Sequence, residues 1–325
     1  MTRHAVPIES LLDRVTGDLA DLIVPRHSCL LPAAARVLQP GKLFRPRMTL
    51  GVAAGLGIKN PDAAVRAATA VELLHMSSLI HDDLMDDSPH RRGVPTIHVA
   101  ATPASAIAVG NLLLARAAGV AADLGPKAAR TFAHALEQLW EGQLMEPELA
   151  SSTSSERHLQ YIALKTAALM EASTEMAALS QDATDEQTAH VAQFGHAVGM
   201  AFQVADDLLD HIGDPAALGK AVGGDLARGV VSVGAWHALS LHGMARHTTH
   251  DAAAVDALAA QDESVDYAMA VIGSYLELAR HALQRAAVHF EVWEDARAMI
   301  AGMLERGVRH RHLRVITQAV TRWPA

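Results

Sequence analysis

Apolar residues recur along this chain at three- and four-residue spacings, in long segments separated by glycines and prolines. That is the pattern of amphipathic and buried helices, and no run of alternating Val, Ile or Thr with turn dipeptides argues for a sheet. The pattern predicts helices over Ile8–Val24, Leu43–Leu56, Pro61–Asp87, Pro103–Ala122, Lys127–Glu146, Ser155–Leu179, Glu186–His211 and Val231–Leu241. A tail from about Asp251 continues it through Tyr267–Val288 and Trp293–Leu304. Segments such as Ala68–Met76 are apolar nearly all round, so they belong inside a bundle. No Ser-, Gly- or Pro-rich linker divides the chain, and Ser151–Ser155 reads as a short loop into a helix N-cap. One all-α domain over 1–325 is expected.

Composition narrows the function classes. A chain of 325 residues that is 50% hydrophobic and 19% charged is neither disordered nor a coiled-coil rod. Its net charge of −9 argues against nucleic acid as a partner. A single cysteine, Cys29, makes no internal disulfide or cysteine zinc cluster, which suits a reducing compartment. The start, Met1-Thr2-Arg3-His4, leads into a charged amphipathic segment rather than a signal peptide's apolar run. Arg116 interrupts the most apolar stretch, Val99–Val120, so no transmembrane segment and a cytoplasmic location are expected.

Two acidic clusters break the rules that the other helices obey. His81-Asp82-Asp83-Leu84-Met85-Asp86-Asp87 and Asp206-Asp207-Leu208-Leu209-Asp210 each set carboxylates at i and i+4, one above the other on a helix face. Asp214 extends the second row by four residues. Like charges at that spacing destabilise a helix by a few tenths of a kcal/mol, and negative charge near a helix C-terminus opposes the macrodipole. Such local conflicts mark functional sites. Oxygen donors without Cys or paired His suit a hard cation, Mg²⁺ first and Mn²⁺ second. One cluster alone would be as well read as a solvated face; two, each closed by a turn, are not.

An anion fits beside such a metal, and basic residues stand near the right places. Lys42 and Arg45 flank a glycine-marked helix start in Gly41-Lys42-Leu43-Phe44-Arg45-Pro46, and Arg91 and Arg92 follow the first cluster. Lys165-Thr166 lies within an apolar run, and Gly219-Lys220 lies past the second cluster. Each is individually as ordinary as a surface charge. His75 and His81 read equally as core histidines or as substrate contacts.

Together these residues resemble the trans-polyprenyl diphosphate synthases, the polyprenyl synthetase family. The motifs carrying the resemblance run in order: GKLFRP at 41–46, ELLHMSSLIHDDLMDD at 72–87, RRG at 91–93, EGQ at 141–143, KTA at 165–167, FQVADDLLD at 202–210 and GK at 219–220. The resemblance implies the all-α isoprenoid synthase bundle around a central cavity, and condensation of isopentenyl diphosphate with an allylic prenyl diphosphate. It implies Asp82, Asp83, Asp86, Asp206, Asp207 and Asp210 as the ligands of three Mg²⁺ ions. It implies Arg91, Lys165, Thr166, Gln203 and Lys220 at the allylic diphosphate, and Lys42, Arg45, His75 and Arg92 at isopentenyl diphosphate. It also implies a homodimer.

Two departures stand out. Where the family has Gly-Lys-x-Thr-Leu-Pro, this chain has Gly229-Val230-Val231-Ser232-Val233-Gly234, with Arg228 a candidate substitute for the missing lysine. Gly110-Asn111 replaces the usual Gly-Asp. Ser77 and Ser78, one turn before Asp82, occupy the place where family aromatics stop growth at farnesyl length. A geranylgeranyl or longer product is therefore expected, with Met76, Leu74 or the Pro103–Ala122 helix setting the floor. A class I terpene cyclase and a regulatory subunit of a heteromeric synthase are the competing readings; the 4% aromatic content disfavours the first.

Overall fold

The computed structural model describes residues 7–23, 41–149, 154–218, 222–244, 251–288 and 291–324. Cys29 and Lys220 lie outside them. The expected all-α architecture holds, and the described residues form two compact units.

The first unit comprises Met1–Leu136, Ala172–Val191 and Ala287–His289. Within it run α1 (Ile8–Ile23), α2 (Phe44–Gly55), α3 (Pro61–Met85), the short α4 (Ile97–Ala100), α5 (Pro103–Asp123) and the start of α6 (Pro126–Leu149). Asn60 caps α3 by accepting the Ala63 N–H at 3.0 Å, with Pro61 at the first helical position, which suits its fixed φ. Thr102 and Pro103 repeat the device at α5. The unit's core is the buried face of α3 (Val65, Ala68, Leu73, Ile80) packed on the stripe Ala106, Val109, Leu113, Ala117 of α5. Ser77 Oγ donates to the Gly110 carbonyl at 2.9 Å across this seam.

The second unit comprises Glu137–Glu171, Ala192–Ala286 and Phe290–Ala325. The helix expected over Ser155–Leu179 is broken here into α7 (Ser155–Ile162), a π-turn (Ala163–Ala167) and α8 (Ala168–Ser180). The chain goes on through α9 (Asp185–Ile212), α10 (Pro215–Leu218), α11 (Gly224–Ala227), α12 (Val233–Leu241), α13 (Ala252–Ala259), α14 (Asp262–Ala286), α15 (Glu291–Gly307) and α16 (His310–Val320). Ser154 caps α7, accepting the Glu156 N–H, as the sequence suggested. Asp214, which extends the second acidic row in sequence, accepts the Ala216 N–H of α10 on its Oδ1 at 3.0 Å.

One further expectation needs correction. A small hairpin exists after all, β1 (His90–Arg91) against β2 (Val94–Pro95), closed by Arg92 and Gly93 at φ 52° and 78°. Both turn residues at positive φ make the two-residue turn whose twist matches paired strands. Among the described residues two helices, α3 and α5, are long and apolar enough to cross a bilayer by length and composition alone, a test that core helices also pass. The most apolar stretch of α3 is 78% buried and is core, whereas that of α5 is only 33% buried. Arg116 does not prevent α5 from qualifying; Ile107, Ala108, Ala115 and Ala118 leave an exposed apolar face.

Candidate active site

In the first unit, the acidic helix end and the arginines are assembled by the hairpin. Asp82 is half-buried and Asp86 exposed, i and i+4 on one face of α3. Asp83 points elsewhere: buried, it takes Arg91 Nε at 2.8 Å on both carboxylate oxygens and the Arg91 guanidinium at 2.7 Å. Arg92, at the turn, lies against Gly41, where an added Cβ would come within 2.4 Å of its guanidinium. The contact is with the tip of a flexible side chain, so a methyl at 41 would displace the Arg92 guanidinium. Leu43, at the start of α2, also has positive φ (50°), a conformation costing a leucine about 1 kcal/mol.

Arg45, His75, Arg91 and Arg92 act on one another electrically. Burial, then Arg45, Arg91 and Arg92, hold the His75 imidazole well below its usual range, so it is neutral among three guanidinium groups. Burial pushes the Glu72 carboxyl up, while Arg45 and Arg92 pull it back. Arg45 Nε is buried with no hydrogen-bond partner among the described residues. Three arginines face two buried carboxylates, Asp83 and Glu72, and the surplus positive charge can receive an anion. Lys42 is exposed beside it.

In the second unit, the π-turn presents Lys165 and Thr166. Glycines press on it from two helices: a Cβ on Gly142 of α6 would lie 2.7 Å from Lys165 N, and one on Gly199 of α9 would lie 2.6 Å from Ala167 Cα. The widened turn is thus clasped by backbone, and π-turns commonly mark functional sites. The Lys165 ammonium is paired with Glu146 and sits 5.6 Å from the Tyr161 ring centroid. Thr166 Oγ1 donates to Gln203 Oε1 and Gln203 Nε2 donates to Asp207 Oδ1, both at 2.8 Å.

Within the second acidic motif Asp206 is half-buried, whereas Asp207 and Asp210 are buried. Asp207 Oδ2 is 2.8 Å from His158 Nε2, and Asp210 Oδ2 accepts the Asp225 N–H at 3.0 Å. Burial first, then Asp207 and Asp210, push the Asp225 carboxyl up to about 7, with Asp206 adding to the effect and Arg228 opposing it. Arg228, the candidate replacement for the missing lysine, is paired with Asp225 at 2.5 Å. Val230 is buried and its N–H donates to the Asp225 carbonyl at 2.9 Å. Ser232, in the threonine's place, caps α12 and lies 2.7 Å from His211 Nε2, whose Nδ1 is 2.8 Å from Asp256. This Ser–His–Asp chain is buried and its hydroxyl is spent as a cap, so it fastens α9 to α12 and α13 rather than serving as a nucleophile.

The donor set fits a hard cation. Asp225 is raised by burial first and then by the neighbouring carboxylates Asp207, Asp210 and Asp206, which Arg228 only partly offsets, and a divalent ion would add the further positive charge such a group of carboxylates accepts. No three His, Cys, Asp or Glu side chains close on one point among the described residues. Mg²⁺ takes one or two carboxylates and completes its shell with water and phosphate oxygens. Glu146, His158 and the glycine clasp escaped the sequence reading, and Asp225 was assigned no role there. Only the EGQ motif, which contains Gly142, hinted at any of them.

The chain is similar in sequence and fold to known proteins. The chain is 35% identical over 233 residues to heptaprenyl diphosphate synthase component 2 of Geobacillus stearothermophilus, covering 70% of this chain and 72% of that one. It is 38% identical over 202 residues to nonaprenyl diphosphate synthase of Mycobacterium tuberculosis, covering 61% and 60% respectively. A polyprenyl synthase from Caulobacter crescentus CB15, solved with calcium and isoprenyl diphosphate, superposes with a TM-score of 0.76 at 26% identity, covering 99% of this chain and 100% of that one. The family model for polyprenyl synthetases matches residues 27–272, three quarters of the sequence, and the chain belongs to that family.

Proposed function

We propose that this protein condenses isopentenyl diphosphate with an allylic prenyl diphosphate and releases a linear trans-prenyl diphosphate of geranylgeranyl length or longer. The observation that carries the reading is the pairing, within one unit, of the Asp82/Asp86 row with three arginines around a neutral His75. A carboxylate row for metal beside a cation cluster for a second anion is what a two-diphosphate enzyme needs and a cyclase does not. Residues 1–325 act as one catalytic domain, and both acidic motifs serve one allylic diphosphate through three Mg²⁺ ions. Asp82, Asp86 and Asp206 lead that set. Asp83, Asp207 and Asp210, although hydrogen-bonded to protein groups, each retain lone pairs for it.

Mg²⁺, when bound, supplies Lewis acidity toward the leaving diphosphate. Lys165, Gln203, Lys220 and Arg91 neutralise the charge that grows on that diphosphate as the allylic C–O bond breaks. Lys42, Arg45, His75 and Arg92 hold isopentenyl diphosphate so that its double bond attacks the allylic carbon. The proton then lost passes to the departed diphosphate. Ser77 and Ser78 turn their hydroxyls to the Gly110 and His75 carbonyls, which leaves no bulk one turn before Asp82 to stop the chain early. The protein is soluble, cytoplasmic and pairs with a second copy through the apolar outer face of α5. A relative named as a component 2, together with the lost lysine at Val230, favours a different polypeptide as the competing partner.

The test is incubation of purified protein with Mg²⁺, isopentenyl diphosphate and each of dimethylallyl, geranyl and farnesyl diphosphate, with products identified by mass spectrometry. EDTA and Asp82→Ala are the controls. A metal-dependent linear product longer than farnesyl supports the reading. A cyclic hydrocarbon made without isopentenyl diphosphate, or no turnover by folded protein, sinks it.

A further inference from the structure

We propose that His158 is the positioning residue of the second acidic motif, acting through Asp207 on the allylic diphosphate contacts. The inference rests on the reading above, in which Lys165 and Gln203 receive that diphosphate.

His158 lies on α7, and its side chain is 3% exposed. Its Nε2 is 2.8 Å from Asp207 Oδ2, whose side chain is 8% exposed. A carboxylate only accepts, so the shared proton belongs to His158 and Nε2–H is the donor. Asp207 Oδ1 then accepts one N–H of the Gln203 amide at 2.8 Å. That bond settles which way the amide faces: Gln203 Oε1 is left as acceptor and takes the Thr166 hydroxyl proton at 2.8 Å. The second Gln203 N–H remains as a donor for an incoming phosphate oxygen, and Thr166, its proton spent, orients Gln203 rather than binding phosphate itself. Four side chains on α7, the π-turn and α9 thus have one consistent donor–acceptor order, and His158 begins it. A second route leads from the same ring: His158 and Tyr161 lie 6.0 Å apart between centroids, and Tyr161 carries Lys165 at 5.6 Å.

Without the His158 donor, the Asp207 carboxylate is free to rotate and the Gln203 amide to flip. The other His158 nitrogen, Nδ1, is buried and meets no hydrogen-bond partner among the described residues, so packing and the Asp207 bond alone hold the ring. Gln at 158 retains an N–H able to reach Asp207; Ala does not.

The experiment compares wild type with H158A, H158Q, D207N and the H158A/D207N pair. Two readouts are taken: the melting-temperature gain on adding Mg²⁺ with inorganic pyrophosphate, and KM for farnesyl diphosphate against KM for isopentenyl diphosphate. H158A is expected to lose most of the pyrophosphate-induced gain and to raise the farnesyl diphosphate KM about tenfold, the worth of one charge-assisted hydrogen bond. The isopentenyl diphosphate KM stays within about twofold, H158Q recovers most of the loss, and the pair is no worse than D207N alone. A wild type that gains no stability from Mg²⁺-pyrophosphate overturns the synthase reading and this proposal together. A wild-type gain matched by H158A overturns this proposal alone, as does H158Q behaving like H158A. If H158A does not fold, H158Q is set against D207N: wild-type behaviour in H158Q with impairment in D207N supports the proposal, and any other pattern overturns it.

Discussion

Replacing Glu146 by Gln should make the empty protein less stable and yet a tighter binder of pyrophosphate. The Lys165 and Glu146 side chains are 18% and 16% exposed, between the surface pair worth about 0–1 kcal/mol and the buried one whose rupture costs about 3–5 kcal/mol. Glutamine retains a neutral acceptor for the ammonium, so the loss is the charge assistance, about 1–2 kcal/mol. At this chain length that lowers the melting temperature by roughly 1–3 °C. On the ligand side, Glu146 competes with any diphosphate that Lys165 receives. A carboxylate and a phosphate oxygen about 6 Å apart repel by roughly 3 kcal/mol at an effective dielectric of 20, before screening by salt. In EDTA, E146Q should therefore bind inorganic pyrophosphate about tenfold more tightly, read by titration calorimetry beside thermal melts. If E146Q lost affinity along with stability, Glu146 would be delivering Lys165 to the ligand, and the competition argument would be refuted.

Two other perturbations probe the same unit. Gly142→Ala places a methyl against the backbone of Lys165, which cannot swing aside as a side-chain tip could; a cost of about 1–3 kcal/mol is expected, with a raised KM for the allylic substrate but not for isopentenyl diphosphate, and wild-type melting and kinetics would contradict it. Asp225→Asn tests the crowded carboxylates: with its pKa raised from 3.8 to about 7, the folded protein holds a proton that the unfolded chain has released, so metal-free stability falls as pH rises across that window. The asparagine variant should thus melt higher than wild type at pH 8, by about 1–3 kcal/mol, and match it at pH 4 or below; equal pH profiles would mean that Asp225 is not strained by its neighbours.

What the sequence made legible was what breaks or obeys a short-range rule. The helices follow from period and punctuation, and both acidic motifs were conspicuous because they oppose helix energetics. The π-turn was hidden, because inserting a residue into Ala163–Ala167 rotates the face by about 100° in a run apolar on every side. Its best evidence, Gly142 and Gly199, lies on other helices, where one chain read alone gives no pairing. His158 was hidden for the opposite reason: a single histidine on an amphipathic helix looks like a core residue, and it is one. The doubled motif nevertheless contained a clue about which carboxylates the fold itself uses. In each motif the residue after the first aspartate is buried, and each meets a basic side chain from a different element, Arg91 for Asp83 and His158 for Asp207, while Asp210, also buried, takes the Asp225 N–H. The i, i+4 rule places the first and last aspartates on one face, so the second must point about 100° away from the first, into the protein. A buried carboxylate needs a donor, and the motif therefore demands a basic or amide partner beside it. Arg91 follows the first motif closely enough in sequence to be guessed. His158 is 49 residues from Asp207 and became visible only once the fold had brought the two together.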